Sequence, residues 1–361
     1  MLILCAVLAA GLLALAAALR WVSPGKPAPF LDAGNKPLAG SIAEKLFVEV
    51  NGARQCLFIK SRDARRPVLL YLHGGMPDYF LTRRYPTGWD ELFTVVWWEQ
   101  RGSGLSYSAD TPPETITTDA LIADTHALTD WLRRRFETDR IYLLAHSGGT
   151  FIGIQAAARA PHLYHAYVGV EQMCCQAESE LLAYEYMLDR FREQGNARMV
   201  ARLEAAPVTP GGGIPRGYLA VRDPAMHALG IGTMREMRSV LTGLFIPSLL
   251  FREYTLREKW RLWYAKARAG VSPVWEDNVR TDLRRTVSAL GTPAYFFHGI
   301  QDYTVNYALA RSYWDRLEAP LKGFYTFGSS AHSPMFEEPD RMNRILREDV
   351  LTGRVDLADR G

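Results

Sequence analysis

At 361 residues the chain exceeds the roughly 100 to 200 of a typical single domain, so one large domain with an insertion, or two modest ones, are open. Its 48% apolar and 11% aromatic residues, with 22% charged, exclude a disordered, collagenous or coiled-coil chain. The 42 Lys and Arg against 39 Asp and Glu leave a formal charge of +3 without a Lys/Arg-dense segment, which lacks the electrostatic footprint of a nucleic-acid binder. Cys5, Cys56, Cys174 and Cys175 have neither the spacing of a disulfide framework nor that of a metal site, so no bridge and no bound metal are expected.

From Met1 to Leu19 there is no charged side chain. As a helix this run would reach about 28 Å, close to the ~30 Å of a bilayer's hydrocarbon core. Residues 1–20 therefore read as an N-terminal membrane anchor. A cleaved signal segment is the competing reading; Ala14, Ala16 and Ala18 favour it and the lack of a basic start opposes it. Arg20, Lys26 and Lys36 all follow the run, so the positive-inside rule places the body in the cytoplasm, whereas cleavage would make the protein secreted or periplasmic. Pro24, Pro27, Pro29, Gly34, Pro37 and Gly40 make residues 21–40 an expected extended linker.

The first part of the body, residues 41–171, opens with apolar runs over 46–50 and 55–59 joined at Asn51-Gly52, a pair that tolerates positive φ and predicts a β-hairpin. Continuous apolar runs over 68–72 and 94–98 predict strands buried on both faces. Leu121, Leu128 and Leu132 recur at helical spacing behind Thr117, with Arg133 to Arg135 suited to a helix C-terminus, predicting a helix of about 18 residues. A strand over 141–144, a helix over 148–160 ended by Pro161 and a strand over 166–170 complete a β-α-β-α-β order, the pattern of a doubly wound parallel sheet. Residues 172–290 change texture, with helical period broken at Pro207, Pro210, Gly211 to Gly213, Pro215 and Pro247, and read as a helical cap insertion. The sheet resumes in residues 291–361, with strands over 293–298 and 321–327 and helices around 305–317 and through Met342 to Val350.

Ser147 sits where a buried strand passes into a helix, between Ala145, His146, Gly148 and Gly149. A nucleophile on so sharp a turn needs small residues two before and two after it, because larger ones meet the neighbouring backbone. A plain Ser-Gly-Gly helix start would account for the same residues. His73-Gly74-Gly75 follows the strand over 68–72, where glycines let backbone N–H groups face a developing oxyanion. Glu99 to Ser106 should brace that loop. Asp302 and His332 each fall just past a strand, at the carboxyl ends where open α/β sheets place ligands. The order Ser, Asp, His is that of α/β-hydrolases. Glu171, directly after the strand over 166–170, is the alternative acid. His126, His162, His165 and His227 read as surface or packing residues, and His146 and His298 as packing partners, His146 pointing away from the nucleophile's side.

On these residues the sequence resembles the α/β-hydrolase superfamily, and within it the prolyl aminopeptidase (proline iminopeptidase)-like group of serine peptidases, over roughly residues 44–351. The likeness lies in His73 to Pro77, Glu99 to Ser106, the Ser147 turn, Gly299-Ile300-Gln301-Asp302 and Ala331-His332-Ser333-Pro334 with Glu337 and Pro339. Three positions depart from the group: Met76-Pro77 for Pro-Gly, Glu99 for Asp, and Gly148 for a Trp after the nucleophile. The resemblance implies the hydrolase fold with a cap and a cofactor-free serine hydrolase acting on an ester, an amide or a short peptide. Catalysis would fall to Ser147, His332 and Asp302, with the oxyanion held by the N–H groups of Gly75 and Gly148. It also implies that an aminopeptidase of this kind holds the substrate amine on cap carboxylates, for which Glu178, Glu180, Glu185 and Glu204 are candidates. A catalytically silent binding module on the same fold is the alternative from another class.

Overall fold

The computed structural model describes residues 2–360, without the side chains of residues 2–6, 8, 9, 12 and 15. Helix α1 (Leu2–Trp21) takes the apolar run. Much of the expected anchor falls on side chains outside the described residues; among the described ones, no helix is long and apolar enough to cross a membrane. The stretch after α1, expected as an extended linker, is tied to the body by hydrogen bonds. Gly25 N–H donates to Arg252 O (3.0 Å), Lys259 Nζ to Ser23 Oγ (2.6 Å) and Lys60 Nζ to Ala28 O (3.1 Å), so groups that no regular element satisfies are satisfied by the body.

β1 (Ile42–Val50) and β2 (Ala53–Ser61) form the expected hairpin, with Val50 opposite Ala53 and both Asn51 (φ 47°) and Gly52 (φ 73°) in the left-handed region that a two-residue turn requires. Both strands outrun their apolar stretches because polar residues such as Glu44, Lys45, Lys60 and Ser61 also pair. β3 (Val68–Leu72), β4 (Thr94–Glu99), β5 (Ile141–His146), β6 (Tyr164–Val170), β7 (Ala294–Gly299) and β8 (Lys322–Phe327) follow. The eight strands lie in the order β1-β2-β4-β3-β5-β6-β7-β8; β2 is antiparallel to both neighbours and the other pairs are parallel. β3, β4, β5 and β7 are buried throughout, as their continuous apolar sequences require.

Helix α2 (Thr118–Arg135) starts where Thr117 caps the Ala120 N–H, and α3 (Gly148–Arg159) follows β5. Between β6 and β7 lie α4 (Gln176–Glu193), α5 (Ala197–Glu204), α6 (Arg216–Leu229), a π turn over Leu241–Phe245, α7 (Ile246–Leu250), α8 (Leu256–Ala269), α9 (Trp275–Arg280) and α10 (Leu283–Thr286). α11 (Tyr307–Arg316) joins β7 to β8, and α12 (Pro334–Glu337), α13 (Pro339–Ile345) and a π turn over Leu346–Val350 follow β8. One apolar cluster packs α2 and α3 on the sheet and a second fills the other face. A third, around Met187, Leu203, Tyr218 and Val221, belongs to the helices between β6 and β7.

Candidate active site

The turn after β5 is strained where chemistry is expected. Ser147 has φ 54° and ψ −127°, and its N–H donates to Val170 O (2.9 Å). Such a conformation in a non-glycine residue persists only when its surroundings hold it. Gly149 is part of that hold: a Cβ there would stand 2.5 Å from both Leu72 O and His73 O, so α3 can meet β3 only with glycine. Gly148 is open, its nearest prospective contacts being 3.8 Å and beyond, so the space of a side chain beside Ser147 is unfilled.

The glycine loop after β3 faces Ser147 through Gly74, where a Cβ would come within 2.8 Å of Ser147 Cβ and 3.1 Å of its Oγ. Gly75, one residue on, abuts the Val271 carbonyl. Both glycines line the cavity that holds Ser147 and Gly148. The polar string after β4 does brace this loop: Gln100 N–H donates to His73 Nε2 (3.2 Å), and the Gln100 amide to His73 O (2.8 Å). Glu99 accepts from Tyr254 OH and Leu105 N–H, and burial pushes its carboxyl up to about 7. Arg101 extends the brace to the hairpin through the buried Asp124 (2.7 Å), which also takes Gln55 (2.7 Å) and Asn51 (2.9 Å).

His332 Nδ1 lies 2.7 Å from Asp302 Oδ2, while Asp302 Oδ1 accepts from the N–H groups of Thr304 (2.7 Å) and Val305 (3.1 Å). Burial lowers the pKa of His332 despite Asp302, with His146 and Arg222 adding to the fall, which leaves the ring neutral and able to accept a proton near pH 7. Burial pushes Asp302 upward, but the charge and hydrogen bond of His332, and a hydrogen bond with Glu171, outweigh it and hold the carboxyl below its usual range. Ser147 and His332 line the same cavity of about 480 Å³.

Two histidines read as packing residues lie closer to the chemistry than that. His146 does not point away: it lines the cavity, and its Nε2 is 2.7 Å from His332 O, so that nitrogen carries the proton and holds the His332 backbone. Its Nδ1 lies 3.5 Å from Asp78 Oδ2. β5 runs through His146, and the backbone enters the positive-φ region at Ser147. His298, fully buried and held near pKa 4 by burial, places Nε2 3.0 Å from Val305 O and 2.8 Å from Glu171 Oε2. Glu171, also at positive φ (54°), accepts from Gly299 N–H (2.8 Å), and burial, then the Asp302 charge, push its carboxyl well up. Glu171, His298 and Asp302 bring one ligand-type atom each within 4.8 Å of one another. That set suits a metal poorly, because the His298 nitrogen facing it carries the proton given to Val305 O, and the Asp302 oxygen is engaged by His332.

None of the four cap glutamates lines the cavity. Glu180 is buried against Arg222 (2.7 Å) and Tyr218 (2.9 Å), Glu178 pairs with Arg284 (2.7 Å), Glu204 with Arg192 (2.8 Å), and Glu185 is exposed. The acids that do line it are Asp223, 2.9 Å from Arg222, and Asp78. Lys266 also faces it, donating to Gly75 O (3.0 Å) and Val271 O (3.2 Å), with burial pushing its amine down to about 8. His227, another supposed packing residue, lines the wall and meets Thr233 Oγ1 (3.1 Å). No sequence spacing singles out Arg222, Asp223 or Lys266.

A mostly parallel sheet with a strained serine turn after its fifth strand, and an acid and a histidine beyond its last two, defines the α/β-hydrolase class. Residues 69–345 match the model of the alpha/beta hydrolase family, and the chain belongs to that family and is a hydrolase. It is 29% identical over 312 residues to the Probable aminopeptidase YbaC of Bacillus subtilis (strain 168), covering 86% of this chain and 97% of that one. The crystal structure of a proline iminopeptidase-related protein from Thermus thermophilus superposes with a TM-score of 0.53 at 21% identity, over 87% of this chain and 99% of that one. A bacterial membrane phospholipase A superposes with a TM-score of 0.60 at 17% identity, over 98% and 96%. Within the family, the likeness is to the proline iminopeptidase-like group.

Proposed function

We propose that the protein is a serine hydrolase that cleaves an ester or amide bond through an acyl-enzyme. Ser147 attacks the carbonyl, His332 takes its proton and returns it to the leaving group, and Asp302 keeps the imidazole in the working tautomer and stabilises its charged form. The N–H of Gly148, at the positive end of α3, and that of Gly75 receive the oxyanion. The observation that carries this reading is the 2.7 Å His332–Asp302 pair, whose histidine lines the same cavity as a serine held at φ 54°. A fluorophosphonate probe should label the full chain and not the Ser147→Ala variant. Equal labelling of both would refute the assignment, and labelling of neither would favour a silent binding module.

The substrate class favoured here is an ester over a prolyl amide. An aminopeptidase must seat an ammonium on a carboxylate, and Asp223, the cap acid on the wall, is already engaged by Arg222. The open space at Gly148 widens the wall beside the nucleophile. We expect kcat/KM for short or medium acyl esters to exceed that for prolyl amides; the reverse ranking would restore the peptidase reading, which the named relatives support. The charge-free run that becomes α1 supports attachment of the N-terminus to a membrane, to be tested by carbonate extraction and N-terminal sequencing.

A further inference from the structure

Helix α8 is apolar on two faces. Leu262 and Ala265 are buried and Trp263 and Lys266 reach the cavity, yet Leu256, Trp260 and Tyr264, four residues apart each, form a second stripe exposed to solvent, Trp260 to 65%. The preceding element repeats the arrangement. Val240 and Leu244 line the cavity, whereas Leu241 (58%), Ile246 and Leu250 (49%) are exposed, the five-residue step from Leu241 to Ile246 matching the i→i+5 hydrogen bonding of the π turn there. Trp263 Nε1 donates to Ser248 Oγ (2.8 Å) and the buried Lys259 to Leu249 O (2.5 Å), locking the two elements side by side.

Burial within this chain explains the inner stripes and leaves the outer ones unpaired. Two features say what covers them. The chain leaving α1 is fastened to this same place through Ser23 and Gly25, with Trp21 85% exposed, so the apolar N-terminal helix ends at the exposed stripes. The charges there have one sign. Within residues 241–264 the acids Glu253 and Glu258 are engaged by Tyr79 and Lys45, whereas the exposed charged residues are Arg252 and Arg257. Arg83 and Arg84, exposed as well, add to them by donating to Leu250 O and Thr242 O. An apolar face rimmed by arginine suits a leaflet bearing anionic headgroups.

We propose that the face formed by residues 241–264 docks on an anionic lipid bilayer, and that the substrate is a lipid-borne acyl ester reaching Ser147 past Val240 and Leu244. The substrate half rests on the hydrolase reading above; the docking half does not. Hydrogen exchange of the full chain, with and without vesicles of phosphatidylcholine mixed with phosphatidylglycerol, reads the docking directly, and Ser147→Ala should behave as the wild type. Peptides from 241–264 should gain protection with vesicles. Ile246→Glu with Leu250→Glu and Trp260→Glu should abolish that gain. The same variant should lower the rate on a vesicle-embedded ester relative to a soluble short ester by about tenfold or more, with the soluble rate itself held. Protection confined to α1, or an unchanged rate ratio, would overturn the proposal. So would protection that appears without lipid and grows with protein concentration, which would assign the face to a second copy. Soluble-ester hydrolysis surviving in Ser147→Ala would instead sink the hydrolase reading and leave the docking result standing.

Discussion

Replacing Asp302 by Asn tests the acid of the site with a prediction that follows from its hydrogen bonds. Asp302 Oδ1 is held by two backbone donors, Thr304 and Val305, at 2.7 and 3.1 Å, so an asparagine must place its carbonyl there. Its NH2 then takes the Oδ2 position, 2.7 Å from His332 Nδ1, where the aspartate accepts. Two donors cannot face each other, so the proton of His332 moves to Nε2 and the ring can no longer take the proton of Ser147. A wrong tautomer of this kind lowers kcat by about 10³- to 10⁴-fold, or roughly 4 to 5.5 kcal/mol in the barrier. Glu171→Gln is the control: its Oε1 takes the Gly299 N–H and the substitution leaves the His332–Asp302 bond in place, so kcat should stay within about tenfold. The assay is ester hydrolysis at saturating substrate, with thermal melting to confirm that both variants fold. A near-normal Asp302→Asn beside a crippled Glu171→Gln would move the acid to Glu171.

The elbow makes a paired prediction: Gly149→Ala, whose Cβ would meet two carbonyl oxygens at 2.5 Å, should lose several kcal/mol of stability, while Gly148→Ala should melt within about 1 kcal/mol of wild type. Chemical denaturation of Asp124→Asn should show a loss of about 3 to 5 kcal/mol, because Arg101 is left without its buried counter-charge; a loss below about 1 kcal/mol would contradict the brace described for the hairpin. As His332 must be neutral to accept a proton and burial lowers its pKa, kcat/KM should rise with pH along an acid limb whose midpoint lies below about 6.5. A midpoint at 7 or above would show that His332 is not the group being titrated.

Much of the fold was legible because its strands obey simple physics. β3, β4, β5 and β7 are buried on both faces and so are continuous in apolar sequence, and Asn51-Gly52 marks a tight hairpin turn. The serine turn could be found because small residues are a steric demand of the backbone itself, which Gly149 against Leu72 O and His73 O makes explicit. What escaped were groups brought together by parallel neighbours: Glu171 and His298 lie at the ends of β6 and β7, adjacent strands with the whole helical segment between them in sequence. The direction of His146 also escaped, since it depends on where the chain bends and not on its composition.

The cavity wall was the least legible part, for a physical reason that bears on function. Arg222, Asp223 and Lys266 come from α6 and α8, whose apolar periodicity says which face is inward but not which polar neighbours share the enclosed space. Glu180, an apparent candidate for an amine, is consumed by Arg222 and Tyr218; Asp223, which had no distinguishing spacing, reaches the wall and shares Arg222 with it. The charge that a substrate meets is therefore set by the packing of cap helices on one another, whereas the reacting atoms are set by strand ends of the sheet. Change in the cap can then redirect the substrate while the strained serine and the His332–Asp302 pair stay as they are. The proline iminopeptidase-like likeness rests on motifs at the strand ends, whereas Arg222, Asp223 and Lys266 of the cavity wall come from α6 and α8, outside those motifs.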